Sequence, residues 1–384
     1  MIRMLFAAVS IALVAPAGAA PAQNAFYDAQ PDELPGSPGT LIRQEPVAGA
    51  PAGAEAFRIL YRSTGLKGEP IAVSGLVVLP SGAPPADGRP MVAWAHPTSG
   101  TVRKCAPSLA RRKFDQIQGL QQMLGLGYGV VATDYPGLGA GGVHPYLVGE
   151  SEGRAVVDSV RAARGMEGMG GDAYVVWGHS QGGQAALYAG LLSASYAPEL
   201  KLLGVAAAAP ATDLATLMRD DFSSMGGKNL TAMTLWSWAQ VYGAPIQQVV
   251  SPEAMPTVDA LANECIESLI DFLERQFTGR PLDTVFLTVP DVTAVEPWKT
   301  LMHDNTPGPL PDRMPVFLVQ GDADTIVRPA VTETYRRELC KAGSPVRMVV
   351  LPGIGHAGVA HDAAGAAIDW MTSRFAGQAA PNDC

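Results

Sequence analysis

An α/β fold is predicted, with a mostly parallel central sheet, helices on both faces and an inserted, mainly helical cap. Three observations predict it. Apolar strand-length runs alternate with segments of helical period from about residue 90 onward, the pattern of a parallel sheet covered on both sides. One run, Ala173 to Trp177, breaks into Gly178-His179-Ser180-Gln181-Gly182 and then into a small-residue helical segment. The alternation stops at Pro210 and resumes near Val316, which leaves 211–312 as an insertion.

The elements follow in order. Arg3, the apolar run 4–15 and Ala17-Gly18-Ala19 form a secretory signal over 1–19, with Ala15-Pro16-Ala17 as a second cleavage option. The apolar run is too short to span a bilayer. No other stretch approaches 18 consecutive apolar residues, so the mature chain should be soluble, without a transmembrane segment, and secreted or periplasmic. Residues 20–56, rich in Pro, Gly and Ala, read as an extended N-terminal segment. Strands are expected at 57–63, 71–79 and 89–95, then a loop His96-Pro97-Thr98-Ser99-Gly100 and a helix near 107–124. A buried strand at 127–134 precedes a helix at 151–164, where Val156, Val157, Val160 and Ala163 recur at helical spacing. After the 173–177 strand comes another at 202–209. Beyond the insertion come a strand at 316–320, a helix at 329–342, a strand at 346–351 and a helix at 362–375. Residues 57–210 and 313–384 thus form the core, and 211–312 the cap. The cap carries Phe222, Trp236, Trp238, Tyr242, Trp298 and Met302. An aromatic cap favours an apolar ligand, and the competing fate of each ring, about equally weighted, is the cap's own core, since large aromatics more often build a core.

Composition excludes several classes. A net charge of −9 with no basic block argues against nucleic acid. Four cysteines, Cys105, Cys265, Cys340 and Cys384, fit two disulfides in an oxidising compartment, with three pairings open. No Cys-x-x-Cys is present, which argues against thioredoxin chemistry and structural zinc.

Gly-x-Ser-x-Gly between a buried strand and a helix is the nucleophile elbow of α/β-hydrolases. The pentapeptide alone does not decide, since a chain this rich in glycine gives roughly 0.2 chance matches. Its context does. A serine hydroxyl needs a base, and in this fold the partners follow in the order Ser, Asp or Glu, then His, at strand ends. Ser180 is the expected nucleophile, and Gly178, His179 and Gly182 shape the elbow. Asp324 in Gly321-Asp322-Ala323-Asp324-Thr325-Ile326-Val327 is preferred over Asp322, which suits loop N–H groups. His356 in the Gly-rich loop 353–358 is the expected base, with His361 as runner-up. The oxyanion hole should use the N–H of Gln181 and a donor from the loop after Ala95. Pro97 has no N–H, so Thr98 is favoured and Gly100 is the fallback. His144 and His303 receive no role.

The chain resembles the secretory lipase family of fungi and bacteria, the lipase-A-like α/β-hydrolases. The matching segments are Cys105-Ala106-Pro107-Ser108, Thr133 to Gly137, Gly149 to Asp158, the elbow, Tyr196 to Leu200, Asp324 to Val327 and the His356 loop. The resemblance implies a Ser180–Asp324–His356 triad, hydrolysis of carboxylic esters and no cofactor. It also implies the pairings Cys105–Cys265 and Cys340–Cys384. The His96-Pro97-Thr98 loop and the cap depart from the fungal pattern, so a long-chain acylglycerol lipase and a general esterase both remain open. A serine peptidase or amidase would use the same triad, but the chain shows neither a large extra domain nor an acidic pair for a peptide amine. A non-catalytic binding protein on this fold usually lacks a triad member; all three stand here.

Overall fold

The computed structural model describes residues 25–222 and 224–384; the expected signal at 1–19 lies outside them. The strands are β1 (Leu41–Pro46), β2 (Ala54–Thr64), β3 (Pro70–Pro80), β4 (Met91–Ala95), β5 (Gly129–Thr133), β6 (Ala173–His179), β7 (Lys201–Ala208), β8 (Val316–Gly321) and β9 (Val346–Leu351). They form one sheet in the order β1-β2-β3-β5-β4-β6-β7-β8-β9. Pairing is antiparallel from β1 through β3 to β5 and parallel from β5 to β9. β4, β5 and β6 are buried almost along their whole length, as expected for strands covered on both faces.

The helices are α1 (Leu120–Gly125), α2 (Gly149–Arg164), α3 (Gln181–Tyr196), α4 (Leu214–Asp221), α5 (Met225–Tyr242), α6 (Met255–Ala262), α7 (Leu269–Thr278), α8 (Trp298–Asp304), α9 (Pro329–Lys341) and α10 (Val359–Phe375). One apolar core joins α2, α3 and α9 to a sheet face through Val156, Val160, Leu187 and Tyr335. The other joins α1 and α10 to the opposite face, and continues into helices α4, α5, α6 and α8 through Leu217, Trp238, Leu261 and Trp298. In such sheets ligands bind at the carboxyl ends of the parallel strands.

Two local expectations change. The helix expected over 107–124 shrinks to α1, preceded by short 3-10 turns at Arg103–Cys105 and Pro107–Leu109. Gly119, at φ +81°, breaks the run, and the Asp134 carboxylate takes the Ser108 N–H at 2.8 Å, so this chain follows a side chain rather than its own carbonyls. The extended segment 20–56 contains β1, whose half-exposed residues left no apolar alternation to read.

Both cysteine pairs are bonded: Cys105–Cys265 ties the chain after β4 to the cap, and Cys340–Cys384 ties α9 to the C-terminal tail.

The tightest packing lies where β4, β6 and α3 meet. A Cβ at Gly178 would stand 2.1 Å from the Gly182 carbonyl oxygen, and one at Gly182 would stand 1.9 Å from that of Ala95. Backbone atoms cannot yield as a side-chain tip can. Gly182→Ala is therefore expected to cost roughly 1–3 kcal/mol or more as overpacking, read as a lower urea midpoint at unchanged slope. An unchanged midpoint would contradict this packing.

Candidate active site

Ser180 sits between β6 and α3 with φ +59° and ψ −119°, a region disfavoured for a residue with a Cβ. Hydrogen bonds hold it on both sides. Its N–H donates to the Ala208 carbonyl at 2.9 Å, and its carbonyl accepts from Gln184 N–H at 3.1 Å. The turn lifts the hydroxyl off the sheet edge and starts α3 at Gln181. The first-turn N–H groups of a helix have no partner inside it, and they carry its positive end.

Three side chains far apart in sequence meet here. His356 Nε2 lies 2.8 Å from Ser180 Oγ, and its Nδ1 lies 2.7 Å from Asp324 Oδ2. With Nδ1–H donating to the carboxylate, Nε2 is the acceptor for the serine proton. Asp324 is itself fixed. Its Oδ1 accepts from the N–H groups of Ile326 and Val327, both at 2.9 Å. Its Oδ2 also accepts from Gln320 Nε2 at 3.1 Å, and Gln320 is locked by Thr332, which donates to its Oε1 at 2.6 Å. Asp322 turns away and accepts the Gly353 N–H at 2.6 Å.

His179 is buried beside the elbow. Its Nε2–H donates to the His356 carbonyl at 3.0 Å, and the two rings lie 5.0 Å apart. Burial, with the neighbouring His356, pushes its pKa down to about 3, so it holds the His356 loop as a neutral donor. His361 lies in α10, exposed and paired with Asp362. His303 is likewise exposed, beside Asp304.

β4 pairs with β6 so that Ala95 stands opposite Gly178, which sets the His96–Gly100 loop beside the elbow. Thr98 Oγ1 lies 2.8 Å from the Tyr146 hydroxyl. Gly100 packs on the Cys105 side chain. The loop is sewn to the cap: Ser99 accepts the Ile266 N–H at 2.8 Å, Thr101 donates to Ala262 at 2.6 Å, and the Cys105–Cys265 disulfide closes the seam.

A cavity opens over Ser180 and Gln181. Tyr146, Leu147, Ala211, Leu214, Leu217, Met218, Leu230, Thr231, Thr234, Ile326 and Val327 line the rest of it. None of the six cap residues singled out from the sequence does. Trp238, Trp298 and Met302 are wholly buried in the core shared with α1, α10 and the sheet, Phe222 packs on Phe286, Trp236 donates to Asp259, and Tyr242 is partly exposed beside Trp238. The cap therefore contributes an aliphatic wall rather than an aromatic one. Among the described residues no group of three or more His, Cys, Asp or Glu is placed to hold a metal ion, and no helix is long and apolar enough to cross a membrane. Gln320, Tyr146, His144 and Glu152 escaped the sequence reading. Glu152 alone had a signal, its place in the 149–158 segment.

A profile of the secretory lipase family matches residues 114–383. A Mycobacterium tuberculosis protein named "Probable inactive lipase" is 26% identical, over 93% of this chain and 83% of its own. Lipase 5 of Candida albicans is 28% identical, over 85% of this chain and 73% of its own. The crystal structure of Candida antarctica lipase A superposes with a TM-score of 0.78 at 18% identity, covering 96% of this chain and 89% of that one. This shows the α/β-hydrolase fold.

The two aspartates make separable predictions. Asp324→Asn should lower turnover of an ester substrate by roughly 10⁴-fold, as loss of the histidine's orienting carboxylate does elsewhere. Asp322→Asn should stay within about tenfold, because it removes only a loop bond. Equal losses in a steady-state assay would contradict the assignment.

Proposed function

The chain belongs to the secretory lipase family, and from that premise we propose that it cleaves carboxylic esters through an acyl-enzyme on Ser180. The family makes it an ester hydrolase in general terms, and a secretory family together with two disulfides makes it an exported protein. The finer mechanism rests on one observation, the continuous hydrogen-bonded run Ser180–His356–Asp324. It favours an active enzyme, although one relative is called inactive.

The steps follow from the geometry. His356 Nε2 takes the Ser180 proton as Oγ attacks the ester carbonyl carbon. Asp324 stabilises the imidazolium and keeps its orientation. The charge that develops on the carbonyl oxygen is met by the Gln181 N–H at the start of α3 and by a donor from Thr98. His356 then gives the proton to the leaving alcohol as its C–O bond breaks; water next attacks the acyl carbon while His356 takes its proton, and the Oγ–acyl bond breaks as His356 returns that proton to Ser180. No covalent step needs a cofactor.

Residues 211–312 act as a cap over this site. The wall of Leu214, Leu217, Met218, Leu230, Ile326 and Val327 suits an apolar acyl chain, such as that of an acylglycerol or another aliphatic ester. It offers no carboxylate to a peptide amine, which disfavours a peptidase.

A series of p-nitrophenyl esters from acetate to palmitate tests this reading. Esters of butyrate or longer acids should be cleaved faster than the acetate. Ser180→Ala should lower kcat by ~10⁶-fold without unfolding the chain. A parent that cleaves no ester, or a Ser180→Ala variant that keeps its rate, would overturn the proposal.

A further inference from the structure

Beneath the elbow lies a polar cluster that the proton relay does not use. Glu152, on α2, is completely buried. Its Oε1 accepts from Gln181 Nε2 at 2.8 Å and from the Leu147 N–H at 2.9 Å. The same Gln181 nitrogen donates its second proton to His144 Nε2 at 2.8 Å, and His144 Nδ1–H donates to the Pro136 carbonyl at 2.8 Å. Both protons of the Gln181 amide are thus committed, which fixes its orientation and the His144 tautomer. The His144 ring stacks on Tyr135, 5.7 Å between centroids and 7° between planes. The Tyr135 hydroxyl donates to the His96 carbonyl at 3.1 Å, and its ring lies 4.3 Å from that of His96.

The cluster therefore runs from Gln181, which follows the nucleophile, to His96, which opens the facing loop. Those are the two walls between which an oxyanion would form. Among the described residues, Gln181 Oε1 and Glu152 Oε2 are buried with no hydrogen-bond partner.

We propose that Glu152 is a positioning residue for the oxyanion hole, acting through the Gln181 side chain to hold the Gln181 N–H and, by way of His144 and Tyr135, the His96–Thr98 wall in register. The inference rests on the ester-hydrolase reading above. Burial disfavours the charged form of each titratable member. Burial pushes the Glu152 carboxyl well above the usual carboxylate range. It pushes His144 down to about 3 and His96 down to about 4.

The test compares Glu152→Leu, Glu152→Gln and Gln181→Met with the parent on p-nitrophenyl butyrate. Rates are expressed per site titrated with a p-nitrophenyl phosphonate, so unfolded protein does not count. Glu152→Leu should lower kcat roughly 10–100-fold, a fraction of the loss of a whole oxyanion donor, with KM within about threefold. The inhibition constant of an alkyl boronic acid, which mimics the tetrahedral species, should rise by the same factor. Glu152→Gln keeps the acceptor for Gln181 and Leu147 and should recover kcat to within about threefold of the parent. If Glu152→Leu yields no titratable site, Gln181→Met carries the test, since it keeps the N–H and loses only the link; its kcat and boronate affinity should fall as stated for Glu152→Leu. A merely structural role would lower thermal stability and leave both readouts unchanged per site. Unchanged kcat and boronate affinity in the variant carrying the test, or a Glu152→Gln as slow as Glu152→Leu, overturns the inference while the hydrolase reading stands. A parent without ester hydrolysis overturns both.

Discussion

The sharp turn at Ser180 is the constraint on which the rest depends. A residue with a Cβ held at φ +59° costs about 1–3 kcal/mol, and such strain persists only where the surroundings over-determine it. Here they do. β6 is buried along its length, α3 buries most of its residues, and Gly178 and Gly182 let β4, β6 and α3 approach to backbone contact. The strain aims one hydroxyl at His356 and one helix N-terminus at the same point. Neither would follow if the strand ran smoothly into a loop.

Around that turn, Asp324 and His179 are each held by named partners. Asp324 receives two backbone N–H groups, one amide and one imidazole, so its position does not depend on substrate. His179 secures the His356 backbone from behind. On the far side the chain after β4 is tied to the 211–312 segment by two hydrogen bonds and a disulfide. The pocket over Ser180 is lined mainly by aliphatic side chains, with Tyr146, Thr231 and Thr234 among them.

Much of this was legible in the sequence because the signals were local. Strand, turn and helix of the elbow are contiguous in sequence, from Ala173 to Tyr196, and Asp324 and His356 each follow a strand in a Gly-bearing loop. What could not be read depends on contacts between distant segments. Glu152 meets Gln181 across 29 positions and His144 meets it across 37, and nothing in either neighbourhood marks the meeting. The 107–124 stretch misled because Ile117, Leu120, Met123 and Leu124 are spaced as on a helix and are buried. The positive φ of Gly119 and the pull of Asp134 on Ser108 decide otherwise. The cap aromatics were ambiguous for the opposite reason: a tryptophan serves a core or a pocket equally well, and only packing shows which.

The central claim is that Ser180 is the one activated nucleophile. Intact-mass measurement after treatment with a p-nitrophenyl alkylphosphonate tests it directly. The account predicts one adduct per chain, located by peptide mapping to Ser180, with no adduct on Ser180→Ala. An unmodified parent, or an adduct that persists in Ser180→Ala, would contradict it.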